Sequence, residues 1–290
     1  MRSLLFTPGD SDRKLAKGLT SGADVILIDL EDAVTGENKE AAREKVSAFL
    51  AQESARTAET PLYVRINDLQ TEWAKADLES IVPAGPAGIM LPKARSQADV
   101  ETLAEMLDEI EKKAGLQPGQ TSIIVLAPEI PEALLNIASF QFCGPRVTAI
   151  AWGSEDLATG LGARSSREGG GSYRVSMEWA RSMCLCVGSA LGIHAIDTVY
   201  VDFRDLEGLK RDAERAAADG FSGKLAIHPD QVPVINAAFT PSDEDIAHAK
   251  RIIKAFEAEP GAGAINMDGA MVDRPHLDHA HKVLERAKQA

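Results

Sequence analysis

Residues 25–32 read Val-Ile-Leu-Ile-Asp-Leu-Glu-Asp, an almost unbroken apolar run that passes into acidic residues. A continuous apolar run is typical of a strand that is buried on both faces, as the strands of parallel sheets are. Parallel strands are joined by long crossover connections, usually helices. This segment therefore predicts a parallel α/β sheet with carboxylates at a strand end.

Short aliphatic runs of the same kind recur along the chain, and an amphipathic segment follows each of them. They cover residues 3–7, 62–66, 88–91, 122–126, 147–152, 195–201 and 224–227. In residues 98–113, for example, Val100, Leu103 and Leu107 fall on one stripe of a helix. Eight strand–helix units predict an α/β fold of the closed (β/α)8 TIM-barrel type. An open doubly wound sheet is the alternative.

The last thirty residues do not belong to this alternation. Residues 261–264 read Gly-Ala-Gly-Ala, which is typical of a flexible hinge, and a short helix is expected over 275–288. We therefore predict a catalytic barrel domain at 1–260 and a C-terminal extension at 261–290.

Composition and charge narrow the function classes. The 290 residues are 44% hydrophobic, and 31 basic against 44 acidic residues leave a formal charge of −13. Nucleic-acid and anionic-membrane binders are basic as a rule, so neither partner is expected. The first ten residues lack the apolar run of a signal peptide, and no run is long enough for a membrane span. A cytoplasmic location is therefore expected, with Cys143, Cys184 and Cys186 reduced.

Residues with catalytic chemistry follow the predicted strands at their C-terminal ends, where barrels of this type place the active site. They are Asp29, Glu31, Asp32, Arg65, Lys93, Glu129 and Asp156. Carboxylates without a cysteine or histidine cluster suit a hard cation such as Mg²⁺, although some of them could be helix caps. Glu129 and Asp156, at the ends of neighbouring strands, are the predicted metal ligands.

The remaining charged residues of this rim suit supporting roles. The acidic group formed by Asp29, Glu31 and Asp32 is expected to orient waters and Arg65. Arg65 itself fits the stabilisation of an oxyanion beside a metal, because a guanidinium stays charged and donates several hydrogen bonds.

Two further sequence patterns do not indicate a binding site. His276, His279 and His281 do not share one face of a helix, so a solvated helix is expected rather than a metal site. Glycines 169–171 lack the frame of a nucleotide-binding loop and are expected to form a loop at the barrel mouth.

Seven motifs, in this order, make the chain resemble the citrate lyase beta subunit-like proteins of the HpcH/HpaI aldolase superfamily, among which are malyl-CoA and citramalyl-CoA lyases. They are FTPGD (6–10), DLEDAV (29–34), VRIN (64–67), LPK (91–93), WGSEDL (152–157), AIDTV (195–199) and MDGAMVDRP (267–275).

The resemblance implies a Mg²⁺-dependent carbon–carbon lyase that cleaves a 3-hydroxyacyl-CoA into an acyl-CoA and an α-keto acid by a retro-Claisen reaction. It implies that Glu129 and Asp156 hold the metal and that Arg65 contacts the substrate and thioester oxygens. Further substrate contacts are expected at Lys93, Glu129, Gly153 and Ser154. Relatives often have a hydroxyl beside the metal glutamate, whereas this chain has Ile130, and Glu132 is a competing ligand.

For the C-terminal extension, the resemblance implies a lid that closes over the neighbouring subunit of a homotrimer or hexamer with shared active sites. Asp273 would be the acid/base that moves a proton at the acyl α-carbon. As an alternative, Asp273 is the N-cap of the terminal helix, with Pro275 in the first turn.

Other functions remain open at this point. The same cleft could direct water at a malyl-CoA-type thioester, which would make the protein a thioesterase. It could also be the citryl-thioester lyase subunit of a citrate lyase complex, acting with an acyl-carrier partner. A catalytically inactive barrel used as a scaffold is the remaining alternative.

Overall fold

Eight parallel strands close into a barrel in chain order in the computed structural model, which describes residues 1–54, 60–169 and 171–289. This confirms the predicted (β/α)8 architecture. The strands are β1 (Ser3–Pro8), β2 (Val25–Asp29), β3 (Leu62–Arg65), β4 (Gly88–Leu91), β5 (Ser122–Leu126), β6 (Val147–Ala151), β7 (His194–Asp197) and β8 (Gly223–Ala226).

Helices connect the strands on the outside of the barrel, and one more helix follows β8. They are α1 (Asp12–Leu19), α2 (Lys39–Ser54), α3 (Ala74–Ile81), α4 (Gln97–Ala114), α5 (Pro131–Leu135), α6 (Ser154–Gly160), α7 (Val175–Leu191), α8 (Leu206–Asp219) and α9 (Val232–Phe239). Helix α4 shows the local signals clearly. The Ser96 side chain accepts a hydrogen bond from the Ala98 amide at its start, and Gly115 ends it in the left-handed conformation.

Alternation along the strands separates the barrel interior from the helix layer. Val25 and Leu27 of β2 belong to the interior core with Tyr63 of β3. Because side chains alternate between faces, Asp29 and Arg65 continue the interior-facing rows of these two strands at their C-terminal ends. The parallel register pairs these two residues directly. The fold thus places a carboxylate beside a guanidinium at the barrel mouth.

The residues of β7 and β8 that alternate with the interior-facing ones point toward the helix layer. There they form a buried ion-pair network. Lys224 is fully buried, and its Nζ lies 2.8 Å from Asp197 Oδ2 and 2.8 Å from Asp212 Oδ2. Asp197 also accepts hydrogen bonds from the indole of Trp152 at 2.8 Å and from Arg181 Nε at 3.2 Å. Asp212 pairs with Arg167 as well. The network ties β8, β7 and α8 together.

The C-terminal residues form a compact unit of their own, Ala237–Ala290. It contains α10 (Asp243–Ala258), a hairpin of β9 (Ala264–Met267) and β10 (Ala270–Asp273), and α11 (Arg274–Gln289). Its apolar core includes Ile252, Phe256, Ile265, Val272 and Ala280. Helix α10 therefore packs with the extension, whereas the sequence-based boundary at 260/261 assigned it to the barrel domain.

Gly170 of the glycine run and Ala290 at the chain end lie outside the described residues. Beside the glycines, Arg167 and Tyr173 form an antiparallel bridge. In the described ranges we find no helix with both the length and the apolar character needed to span a membrane.

Lys224→Met should destabilise the protein, because it leaves two buried carboxylates without their shared cation. Removing one partner of a buried ion pair costs about 3–5 kcal/mol. Asp197 and Asp212 keep other donors, so we expect a loss of about 3 kcal/mol in the free energy of unfolding, measured by urea denaturation. The matched control is Lys210→Met, which removes a half-exposed pair with Glu214 on α8. A loss below about 1 kcal/mol, the range of surface ion pairs, would contradict the role of Lys224.

Candidate functional site

The candidate site lies at the C-terminal ends of β2 to β6, where the rim is built around Arg65. The Arg65 side chain is 10% exposed and forms a two-point ion pair with Asp29, with Nε–Oδ1 at 2.8 Å and Nη2–Oδ2 at 2.7 Å. The amides of Glu31 and Ala33 donate to the same carboxylate. Burial raises the pKa of Asp29, but Arg65 and these amides outweigh it, so the pKa of Asp29 lies below its ordinary value. The charged form of Asp29 is thus favoured, and it orients the guanidinium.

Glu31 and Asp32 approach the other side of Arg65. Arg65 Nη1 lies 2.9 Å from Glu31 Oε2 and 3.3 Å from Asp32 Oδ2. Glu31 Oε1 pairs closely with Lys93 Nζ, whereas Oε2 makes only the ion-pair contact, without hydrogen-bond geometry. Burial raises the pKa of Glu31 to about 7, although Arg65 and Lys93 oppose the shift. The structure therefore groups all three predicted supporting acids around Arg65.

Lys93 links this acidic group to the predicted metal ligands. Its φ of +50° is a left-handed conformation that non-glycine residues adopt at a cost. In this conformation its backbone N–H donates to Glu129 Oε1 at 2.5 Å. Its ammonium forms ion pairs with Glu31 and Asp32. The lysine that was predicted to contact the substrate thus lies in the acidic group around Arg65.

Glu129 is a buried carboxylate, 1% exposed, whose surroundings disfavour its charge. Burial, together with the carboxylates of Glu31 and Asp156, raises the pKa of Glu129 well above its ordinary value. Burial also raises the pKa of Asp156, in the first turn of α6. A Cβ at Gly153 would lie 2.8 Å from Glu129 Oε2, so only glycine leaves this oxygen room. The competing ligand Glu132 is exposed on α5.

These carboxylates fit a hard divalent cation by the chemistry of their donors. A cation held by Glu129 and Asp156 would favour their charged forms and so lower both pKa values. In the described part of the chain, no three His, Cys, Asp or Glu side chains form a metal-binding group. Two protein carboxylates leave positions for water and substrate oxygens, which is the pattern that Mg²⁺ prefers.

Ser154, which was predicted to contact the substrate, makes hydrogen bonds within the protein. It is buried, its amide donates to Thr198 Oγ1 at 3.2 Å, and its hydroxyl donates to Glu155 at 3.0 Å. These bonds fix the start of α6, the helix that carries Asp156.

A basic pocket of about 330 Å³ opens beside the site, between β1, α1 and the loop after β8. Its lining includes Arg13, Lys14 and Lys17 of α1 as well as His228, whose ring stacks on Phe203 with centroids 4.9 Å apart. Phe6 lines the pocket and also lies under Arg65, at 4.7 Å from the guanidinium carbon. Sequence reasoning missed this pocket, although cations spaced by three and four residues after a strand end were a usable signal.

Asp273 lies in the C-terminal unit, at the end of β10. Its carboxylate is 2.5 Å from His276 Nδ1, and its side chain is 36% exposed. His279 and His281 make no metal-binding group with His276 in the described residues.

Comparison with known proteins gives a consistent result. The sequence profile of the "HpcH/HpaI aldolase/citrate lyase" family matches residues 2–229. Citrate lyase subunit beta of Haemophilus influenzae is 37% identical over 99% of this chain and 97% of its own length. The (3S)-malyl-CoA thioesterase of Cereibacter sphaeroides is 35% identical over 99% and 94%. The crystal structure of CitE from Mycobacterium tuberculosis with magnesium, acetoacetate and coenzyme A superposes with a TM-score of 0.81, at 35% identity over 99% and 98%.

Glu129→Gln should stabilise the metal-free protein at alkaline pH. A carboxyl whose pKa is raised on folding costs stability above its ordinary pKa of about 4.3, and the cost grows with pH until the folded-state pKa is passed. In EDTA, we expect the melting temperature of the variant to exceed that of the wild type by a few degrees at pH 8 and by less at pH 5. Circular dichroism measures both.

Glu132→Gln, at an exposed glutamate nearby in the sequence, is the matched control and should leave both melting temperatures unchanged. A Glu129→Gln variant that melts below the wild type at both pH values would show that the carboxylate is stabilising.

Proposed function

Because this chain belongs to the HpcH/HpaI aldolase/citrate lyase family, we propose that it is a Mg²⁺-dependent carbon–carbon lyase for 3-hydroxyacyl-CoA esters of the malyl-CoA or citramalyl-CoA type. The reaction would be a retro-Claisen cleavage to an acyl-CoA and an α-keto acid. The observation that carries the proposal is the arrangement of the rim: the buried Glu129 accepts from the Lys93 amide, Asp156 lies in the first turn of α6, and Asp29 orients the guanidinium of Arg65.

Glu129 and Asp156 would hold the metal. When bound, Mg²⁺ would act as a Lewis acid toward the oxygens of the keto-acid half of the substrate and would lower the pKa of its hydroxyl. Lys93 keeps Glu129 in place through its backbone N–H, and Ser154 fixes the helix start that carries Asp156. Lys93, Gly153 and Ser154 remain proposed substrate contacts at this rim.

Arg65 would stabilise the charge that develops as the carbon–carbon bond breaks. The bond electrons move onto the acyl half and make the thioester oxygen an enolate oxygen, while the hydroxyl releases its proton to solvent and becomes the keto group. A buried, preorganised guanidinium stabilises such an oxygen without further reorganisation. Asp29 holds two of the guanidinium nitrogens, and Glu31 and Asp32 form ion pairs with the third, so these carboxylates would fix the orientation of Arg65 toward the substrate.

The basic pocket would bind the nucleotide end of coenzyme A. Phosphates prefer arginine and lysine donors, which Arg13, Lys14 and Lys17 supply in a chain of net charge −13. The stacked rings of Phe203 and His228 are suited to pack on a purine. Phe6 connects the pocket to Arg65, so a CoA thioester could reach the rim from this side.

Asp273 would deliver a proton to the α-carbon of the acyl half and thereby complete the acyl-CoA product. We propose that the C-terminal unit acts as a lid over the site of a neighbouring copy, in a homotrimer or hexamer with shared active sites. A closed lid would protect the enolate from water. The 36% exposure of the Asp273 side chain supports this role, since a substrate could reach the carboxylate although it contacts His276.

Hydrolysis of the same thioester is the second candidate function, since one relative is named a (3S)-malyl-CoA thioesterase. A carrier-bound citryl thioester is the third, since another is a citrate lyase subunit. The chemistry of Glu129, Asp156 and Arg65 would serve each of them, and only the products differ.

Incubation with a panel of 3-hydroxyacyl-CoA esters, with and without Mg²⁺, should release an acyl-CoA and an α-keto acid without free thiol. Chromatography of the CoA species, a keto-acid assay and a thiol reagent measure the three products. Asp156→Asn should lose metal-dependent turnover because one of the two ligands is gone. Free thiol without keto acid would contradict the lyase and support the thioesterase. Turnover only with an acyl-carrier partner would select the citrate lyase subunit.

Asp273→Asn should lose cleavage while it keeps Mg²⁺ and substrate binding, because only the proton donor is removed. If sites are shared, subunit exchange with Arg65→Ala should restore part of the activity, since some sites would combine intact halves. Calorimetry measures binding, and a coupled keto-acid assay measures activity. No recovery in exchanged oligomers, or an active monomer in light scattering, would contradict the shared site.

A further inference from the structure

Lys39, the first residue of α2, is a buried cation that the proposed mechanism does not use. The residue is 6% exposed. Its Nζ donates to the carbonyl oxygens of Leu30 and Glu31, both at 2.9 Å, and lies 5.0 Å from the ring centroid of Trp73. The ammonium is thus surrounded by the turn that carries Glu31 and by an aromatic face.

The two carbonyls do not need Lys39 in order to be hydrogen bonded. Asn67 Nδ2 donates to the Leu30 oxygen at 3.1 Å, and the Val34 amide donates to the Glu31 oxygen at 3.1 Å. An uncharged residue at position 39 would therefore leave neither carbonyl without a donor. Because burial of an ammonium is costly, a purely structural role would be served as well by an apolar side chain.

The charge of Lys39 contributes to the balance of carboxylates and cations at the barrel rim. Asp29, Glu31 and Asp32 are three carboxylates, whereas Arg65 and Lys93 supply two cations to them. Lys39 is the third cation, and it lies on the backbone side of the same turn. Burial lowers the pKa of Lys39, and Asp77, Asp29, Glu31 and Asp32 oppose that shift.

We propose that Lys39 is a positioning residue of the candidate active site. Its ammonium holds the Leu30–Glu31 turn so that the Glu31 carboxylate reaches Arg65 with one oxygen and Lys93 with the other. Lys93 in turn holds Glu129. The effect on catalysis rests on the proposed function, whereas the geometric part does not.

Lys39→Met removes the charge and keeps an unbranched side chain, so the barrel should fold while the turn loses its anchor. Loss of a residue that supports an active-site group lowers activity by about 10–100-fold. We expect this loss in kcat, with a smaller rise in KM, because Lys39 does not contact the substrate itself but acts through groups that do. Lys39→Arg, which keeps the cation and the donors, should recover part of kcat.

Lys45→Met is the matched control. Lys45 lies on the same helix and also donates to a backbone carbonyl, that of Asp10, but its side chain is 32% exposed and its ion pair with Asp12 faces solvent. This variant should keep its kcat. If Lys39→Met does not fold, Lys39→Gln, which is also uncharged, is measured in its place.

A kcat of the uncharged variant within twofold of the wild type would overturn the proposal, as would an arginine variant no better than the uncharged one. A crystal structure of the uncharged variant tests the geometry without any activity. Displacement of Glu31 from Arg65 and Lys93 would support the proposal, and an unchanged Glu31 would overturn it. A wild-type chain inactive with every thioester would contradict the proposed function only, and the crystal structure alone would then decide the role of Lys39.

Discussion

The ion pair between Asp29 and Arg65 is the contact around which the rest of the site is arranged. It exists because β2 and β3 pair in a parallel register that sets their last interior-facing residues side by side. A register shift of one residue would turn either side chain into the helix layer. With both oxygens of Asp29 on the guanidinium, the position of Arg65 is set by the barrel backbone itself.

From this pair outward, each further group is held by the one before it. Glu31 contacts Arg65 with one oxygen and Lys93 with the other, and the Lys93 amide donates to Glu129. Lys39 donates hydrogen bonds to the carbonyl oxygens of Leu30 and Glu31, on the backbone side of this turn. Glu129 ends this chain of contacts as a carboxylate whose burial raises its pKa. With Glu129 as a metal ligand, as proposed, such an arrangement would trade stability of the metal-free protein for a site that is ready to accept a cation.

Charge is distributed unevenly over the barrel mouth, which matters for an acidic protein that would bind an anionic thioester. Acidic groups collect after the ends of β2 and β5 and in the first turn of α6, while the cations of α1 line a separate pocket next to β1. A metal ion would offset the first region, and the second can receive phosphates directly. Phe6 lies between the two regions, in contact with Arg65 and with the pocket.

Local sequence patterns were sufficient for the architecture and for the residues of the rim. Apolar runs with helical segments between them require parallel pairing, and strand ends can be read from where such runs stop, so Asp29, Arg65, Lys93, Glu129 and Asp156 could be placed on one edge. Tertiary structure decided what each of them meets. The hydrogen bond from Lys93 to Glu129, the oxygen of Glu129 against Gly153, and the pocket of Arg13, Lys14 and Lys17 depend on segments far apart in sequence. The membership of α10 in the C-terminal unit depends on how α10 packs with the hairpin and helix that follow it. Periodicity reports which face of an element is buried, but it contains no information on which distant side chain will cover that face.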